Sequence, residues 1–384
     1  MNIKINRDVL LKPLSNVSGI VEKRHALPIL SNLLLEGTVN NQLKFSATDL
    51  EVQISLSAQT EILNDFSITV AARKLFDITR ALPEGSEINI QVEDSKVIVK
   101  AGKSKFNLQT LPTKDYPLMK AEEVDTKRIV VPQNQLRDIL RQVDFSMAQQ
   151  DIRYYLNGLL FEVDGKKLNI VGTDGHRLSF TSVNVKDPQE KSQIIIPRKT
   201  ILELIKLLDD SKDNVTIDIA KNQATFTFNN INIITKVIDG KFPDYSRVIP
   251  VGHEHYFEIK RLELLSSMQR ASILSNEKYR GIRMLIDKGQ LKLLSNNSEQ
   301  EQAEEEMEIS YNGPAIDIGF NVTYLIDVLT NIQSEKLSFA FKDSSSSCLI
   351  TIPKNNDYKY VAVSYTHLRA HETRHDLVCR LLLE

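Results

Sequence analysis

The feature that most constrains this chain is that it repeats itself. INRDVLLKPLSNVSGIV begins at Ile5, VPQNQLRDILRQVDFSMA at Val131 and EIKRLELLSSMQRASILS at Glu258, so the starts lie about 126 and 127 residues apart. Each reads as a short strand feeding an amphipathic helix. In the second, Leu136, Ile139, Leu140 and Val143 form one apolar stripe at helical spacing, with Arg137 and Arg141 off that stripe. The next stretches repeat as well. LPILSNLLLEG (27–37), YYLNGLLFEVDG (154–165) and EKYRGIRMLIDKG (277–289) read as strands leading to turns. KFSATDLEVQISL, LNIVGTDGHRLSF and LKLLSNNSEQEQAEEEMEI read as hydrophobic strands broken by a polar turn. A second helix follows in each unit, at 71–83, 197–210 and 320–332, and then hairpins such as EINIQVEDSKVIVKAG.

Each unit of about 125 residues therefore carries two helices and about eight strands. The expected fold class is α+β, with antiparallel sheets covered by helices on one face. The period is far longer than a solenoid repeat. Three similar domains are expected, over 1–125, 126–251 and 252–363, with linkers around MKAEEVDTKR and IPVGHEHY. A chain of 384 residues is also too long for one ordinary core.

Composition narrows the class. Hydrophobic content of 41% and charged content of 26% are those of a globular protein, and no apolar run is long enough to span a membrane. The N-terminus lacks the apolar stretch of a signal peptide. Two cysteines, Cys348 and Cys379, make no disulfide framework, which points to the cytoplasm. A net charge of −2 gives no global attraction to nucleic acid, yet permits a local basic surface.

The helices supply such a bias. Arg7 and Lys12 fall on the first, Arg73, Lys74 and Arg80 on the second, and Arg137 and Arg141 on the third. Arg198, Lys199 and Lys206 fall on the fourth, and Lys260, Arg261 and Arg270 on the fifth; the sixth has neither Lys nor Arg. For one helix the plain reading is a solvated face. Recurrence at equivalent repeat positions favours a shared surface for phosphates, which positions a duplex without reading its sequence. Arg24, Gln150, Arg153, Tyr154 and Tyr155 sit at loop-like positions that suit the same role, although a tyrosine pair also suits a core. The acidic run EQEQAEEEME (299–308) reads as a solvated face or as one half of a charged interface, with the basic GKSKFN (102–107) as its match.

No phosphate-binding glycine loop, dinucleotide fingerprint or nucleophile elbow is present. TDGHR (173–177) reads either as a tight turn set by Asp-Gly and capped by His176, or as part of a ligand pocket. HETRH (371–375) fits the zinc-peptidase signature, with His371 and His375 as ligands and Glu372 as base. His367, His371, His375 and Cys379 recur every four residues, on one side of a helix. Their linear arrangement suits adventitious zinc rather than one tetrahedral site, and no substrate cleft accompanies them. The pattern is read as chance: no enzyme, no cofactor and no metal site is expected.

MNIKINRDVLLKPLSNVSGIV, LPILSNLLLE, QDIRYYLNGLLFE, TDGHRLSF, DGKFPDYSRVIP, ILSNEKYRGIRM and IGFNVTYLIDVL closely resemble the bacterial sliding clamps, the β subunits of DNA polymerase III, over residues 1 to about 363. The resemblance implies a head-to-tail homodimer whose six similar domains form a ring, with helices lining a hole around duplex DNA. It implies DNA contacts at Arg24, Arg73, Gln150, Tyr154 and Tyr155, to which the basic start of the fourth helix adds Arg198 and Lys199. The seam would set Lys74 and Phe106 of one copy against Ile273, Leu274, Glu301, Glu304 and Glu305 of the other.

The resemblance further implies a peptide pocket for the polymerase III catalytic subunit, the clamp loader, other DNA polymerases and repair proteins, with no membrane partner. Its wall would include Leu156, Thr173, Gly175, His176, Arg177 and Leu178. It would continue through Pro243, Arg247, Val248 and Tyr279 to Asn321, Tyr324, Ser345, Ser347 and Val361. In this light TDGHR is pocket wall rather than catalyst. One departure stands out: family members close with a short Met-Pro-Met-Arg-Leu-like terminus that lines the pocket, and SYTHLRAHETRHDLVCRLLLE stands here instead. Residues 364–384 are expected to be a foreign or frameshifted tail, artefactual or disordered, leaving the pocket partly missing or rebuilt.

Overall fold

The computed structural model describes residues 2–21, 27–62, 64–93, 96–122 and 126–365. Arg24 and the HETRH pattern, with every His and Cys of the zinc reading, lie outside the described residues. The chain forms two compact units. One comprises Met1–Arg137 with Leu202–Val237, and the other Asp138–Ile201 with Ile238 onward.

In the first unit, α1 (Arg7–Ser18) begins where the Asn6 side chain accepts from the Asp8 N–H at 2.8 Å, a cap for an orphan helix donor. It buries Leu10, Leu14 and Val17 and packs against α2 (Ala72–Ala81), which buries Ala72, Leu75 and Thr79. Behind them, strands of two repeats merge into one eight-stranded antiparallel sheet. The joint is between Val52–Gln59 of the first repeat and Ile231–Lys236 of the second, with Val52–Leu56 opposite Thr235–Ile231. A separate four-stranded sheet runs Asn2–Asn6, Glu87–Glu93, Lys96–Ala101, Ser104–Gln109.

The second unit is built by the same logic. A six-stranded sheet joins Arg177–Pro197 of the second repeat to Asn355–Ala362 of the third, with Arg177–Thr181 opposite Ala362–Tyr358. Its four-stranded sheet runs Gln302–Glu308, Gln290–Asn296, Gly281–Asp287, Ile316–Asn321. The remaining helices are α3 (Gln133–Arg141), α4 (Arg198–Leu207), the single turn α5 (Tyr245–Val248), α6 (Arg261–Ser272) and α7 (Val322–Asn331). Helices α6 and α7 pack on each other. They cover a core of Phe257, Met268, Phe320, Leu325, Phe339 and Tyr360.

Two local expectations change. The turn expected at VDG is no chain reversal: Gly158–Thr173 is one strand, and pairing runs on through register shifts around Gly165, whose φ of +59° suits glycine. The turn α5 was not expected; the Asp244 side chain caps it by accepting from Ser246 N–H at 3.2 Å. The acidic run 299–308, expected as a solvated face or half of an interface, includes over 302–308 a strand of alternating exposure, because every second side chain turns inward. Among the described residues no helix is long and apolar enough to cross a membrane.

Candidate functional site

The residues expected at DNA differ in availability. Gln150 is exposed, at a φ of +57°, and Tyr154 is 58% exposed. Their loop is braced from below. The Asp151 carboxylate accepts from Arg153 Nε and Nη2 at 3.0 and 2.9 Å, and Asn157 exchanges two bonds of 2.9 Å with the Asp151 backbone. That holds Ile152 out at 95% exposure, beside Tyr154. Tyr155 is half-buried and packs on an apolar cluster rather than standing out. Arg73 is exposed and rests its guanidinium on the Val21 carbonyl at 3.0 and 3.3 Å. Arg198 and Lys199 are half-buried at the start of α4, and Arg198 Nη1 donates to the Asp144 carbonyl at 3.4 Å.

The basic helix faces are thinner than their sequence implies. Arg7 binds the Thr79 and Arg80 carbonyls and Asp8, and its side chain is only 11% exposed. Arg261 donates to the Ser334 and Leu329 carbonyls, closing the end of α7, and Arg137 pairs with Asp210 at 2.6 Å. These arginines stitch helices to loops. Helical spacing alone does not separate such a stitch from a surface cation.

Of the residues expected at a seam, Phe106, Glu304 and Glu305 lie on sheet-edge strands, Lys74 on α2, and Ile273 and Leu274 just past α6. Ser104–Gln109, which carries Phe106, is the outer strand of its four-stranded sheet, and Gln302–Glu308 is the outer strand of the other. Lys74, Glu301 and Glu304 are exposed, and Phe106 and Leu274 half-buried. Ile273, just past α6, is 75% exposed. Glu305 meets Arg270 at 2.5 and 2.8 Å, and that bond holds its carboxyl below the usual range.

The expected pocket residues converge in the second unit. Leu178 and Val361 are directly opposite across the joint of the six-stranded sheet. With Leu156 they form a buried apolar floor, against which Val248 packs. The turn 173–177 is the next wall. Asp174, not His176, caps it: its Oδ1 accepts the His176 and Arg177 N–H at 2.9 and 3.0 Å. Thr173 Oγ1 donates to the Arg177 carbonyl at 2.6 Å, and Gly175 takes a φ of +88° against the Arg153 guanidinium. His176 then stacks on Tyr324 of α7, centroids 6.2 Å apart, and burial pushes the Tyr324 hydroxyl up to about 12. Asn321 spends its side-chain oxygen capping α7 through Thr323 N–H at 2.9 Å. Pro243 is half-buried, whereas Arg247 and Tyr279 are exposed, Arg247 pairing with Asp244 at 3.1 Å.

Arg177 does not present its charge to the pocket. Its side chain is 10% exposed, with Nε on Asp174 at 3.1 Å, Nη1 on Asp327 at 2.5 Å and Nη2 on the Phe145 carbonyl at 2.7 Å. Asp327 and Phe145 were not foreseen, because only folding brings 145, 177 and 327 together. Cys348 is fully buried, and burial pushes its thiol up, so it is no nucleophile.

The end of the family-like stretch is also clearer. Val363 N–H donates to the His176 carbonyl at 3.1 Å, and Ser364 Oγ to the Ser345 carbonyl at 3.1 Å. Tyr365 N–H reaches Gly319 at 2.8 Å. The chain thus keeps lining this region for two residues past the expected boundary. Ser347 offers its carbonyl to His253 Nε2 at 3.1 Å. Among the described residues no cluster of His, Cys, Asp or Glu is placed to hold a metal.

Known proteins resemble this chain over most of its length. Family profiles described as the N-terminal, central and C-terminal domains of the DNA polymerase III beta subunit match residues 1–120, 130–244 and 246–366. The beta sliding clamp of Pseudomonas aeruginosa is 45% identical over 370 residues, covering 94% of this chain and 99% of that protein. The beta sliding clamp of Escherichia coli K12 is 39% identical over 364 residues, at the same coverage. A crystal structure of the P. aeruginosa sliding clamp bound to griselimycin superposes with a TM-score of 0.92 at 44% identity, over 96% of this chain and all of that one.

Proposed function

The chain belongs to the DNA polymerase III beta subunit family, the bacterial sliding clamps, and from that premise we infer how it does a clamp's work. It is a processivity factor of DNA replication, not an enzyme. Two copies close head to tail into a ring around duplex DNA and tether the replicative polymerase.

One observation carries the seam. At both joints inside the chain, the last hairpin strand of one repeat pairs with the strand after the polar turn of the repeat before it. The third pair of equivalent strands is Ser104–Gln109 and Gln302–Glu308, and each has an open outer side in its own sheet. A second copy completes the rule. Carrying the internal registers over sets 301–305 against 108–104, with Ala303 opposite Phe106 and Glu304 opposite Lys105. Lys103 and Lys105 bring positive charge to one edge, and Glu304 and Glu306 negative charge to the other. Two identical seams then close a ring.

The duplex inside meets Arg24, Arg73, Gln150, Tyr154, Tyr155, Arg198 and Lys199 through its backbone. Such contacts are weak and indifferent to sequence, which suits sliding. Topology, not affinity, keeps the ring on DNA. A polymerase held to it gains effective concentration at the primer end. The polymerase III catalytic subunit, the clamp loader, other DNA polymerases and repair proteins take turns at the pocket of Leu156, Leu178, Val248 and Val361, where an apolar floor and a few placed polar groups suit a short peptide. The work is done in the cytoplasm. Loading the protein on nicked circular DNA and then linearising it tests the ring: retention is expected on circles and run-off from ends. Equal loss from both would sink it.

A further inference from the structure

We propose that Asp327 of α7 is a positioning residue for the partner pocket: through the Arg177 guanidinium it fixes the helix wall of the pocket against the 173–178 wall without touching the bound peptide. This rests on the pocket reading above and deepens it.

The pocket has walls from two repeats. One is the turn and strand start at Thr173–Leu178, and the other is the start of α7 with Asn321 and Tyr324. The Arg177 guanidinium holds the two together. Arg177 spends Nε on Asp174 of its own turn and Nη1 on Asp327, three residues beyond Tyr324 on the same helix. Its guanidinium lies over the Tyr324 ring at 4.7 Å and over Phe145 at 5.7 Å, and the Tyr360 hydroxyl donates to the Tyr324 carbonyl at 2.8 Å. The planar fork therefore fixes the distance and the angle of α7 relative to the turn. His176, stacked on Tyr324, and Leu178, next in the strand, inherit that geometry.

Asp327 is the replaceable member. Asp174 also shapes the turn, and the Phe145 partner is a backbone carbonyl. Removing the Asp327 carboxylate leaves a mostly buried cation short of one partner, and the cheapest relief is for Arg177 to swing toward water. That swing frees Tyr324 and opens the gap between the walls.

The probe is griselimycin, the ligand of the P. aeruginosa structure, titrated by calorimetry into the full-length dimer. Asp327→Ala should weaken binding by on the order of tenfold, and Asp327→Asn by less, because it keeps an acceptor for Arg177. Asp327→Glu should restore most of the affinity, a rescue that simple loss of packing does not predict. All three should remain dimers by sedimentation equilibrium. Leu178→Asp, at the pocket floor, is the control and should abolish binding. If Leu178→Asp abolishes binding while Asp327→Ala stays within about twofold of the parent, the positioning role is wrong and the pocket stands. If Leu178→Asp leaves binding intact, the pocket reading itself fails. An Asp327→Ala loss that Asp327→Glu does not rescue also overturns the proposal.

Discussion

The joint inside the second unit and the two open sheet edges use equivalent strands for opposite ends. At the joint, Tyr358, Tyr360, Val361 and Ala362 are all essentially buried as they pair with Arg177–Thr181. At the edges, Ser104–Gln109 sets half-buried Phe106 and buried Leu108 among exposed polar side chains, and Gln302–Glu308 alternates exposed, mostly acidic side chains with half-buried ones. Backbone pairing is the same in kind, so side chains make the difference. An apolar joint is permanent, since parting it would expose core. A charged edge is stable only when met by its complement, resists pairing with itself, and opens at modest cost. A ring that must be opened to enter DNA needs that asymmetry.

The sharpest way to break the comparison is at Ile273. In the proposed ring a second copy covers its exposed side chain. Ile273→Asp forfeits the burial and places a carboxylate in the seam, together about 3 kcal/mol or on the order of a hundredfold in dimer Kd. Sedimentation equilibrium should show monomer at concentrations where the parent is dimer, with the fold of each unit intact by circular dichroism. A dimer of unchanged affinity would remove the seam from this surface.

A smaller effect tests whether charge tunes the edge. Glu304→Lys with Glu306→Lys should weaken the dimer by about tenfold in low salt, and Lys103→Glu with Lys105→Glu in the same chain should recover much of it. Because these groups are exposed, the penalty should shrink as salt rises. A penalty indifferent to salt, or no recovery in the swapped chain, would mean that shape rather than charge selects the partner.

The comparison also marks how far sequence reaches. The repeats, the helices and the α+β class follow from periodicity, because a buried face leaves its imprint on every third or fourth residue of a helix and every second of a strand. Which strands join across repeats leaves no such imprint. Tyr358 and Phe106 both sit in plausible hairpins, and only pairing tells a joint from an edge. The expected pocket rests on family likeness alone, since Leu156, Leu178 and Val361 look like any core residues. Arg177 stands among the expected wall residues, and its link to Asp327, 150 residues away in sequence, leaves no trace in the sequence pattern. Arg7 and Arg261 misled for the same reason: a cation that binds carbonyls of a distant loop has the same letter as one that faces phosphate.

The smallest effect should come from the joint's own exposed rim, where Asp357 accepts from Lys167 Nζ at 2.7 Å and from Ser182 Oγ at 2.8 Å. The bond from Lys167, and then that from Ser182, hold the Asp357 carboxyl below its ordinary value of 3.8. A depressed carboxylate stabilises the fold above its unfolded pKa, and that contribution is lost as pH falls through the folded value. Both side chains are about half exposed, at 52% and 50%, so water screens most of the attraction. Asp357→Asn should therefore cost about 0.5 kcal/mol near neutral pH. The gap to the parent should close as pH drops below the ordinary carboxylate range, while dimer affinity near neutral pH stays unchanged. Urea melts of parent and variant across pH 2 to 7, paired with sedimentation, separate the two. A loss of dimer affinity in Asp357→Asn would show that the joint and the edge are coupled, and that the apolar joint is not the independent, permanent half of the comparison.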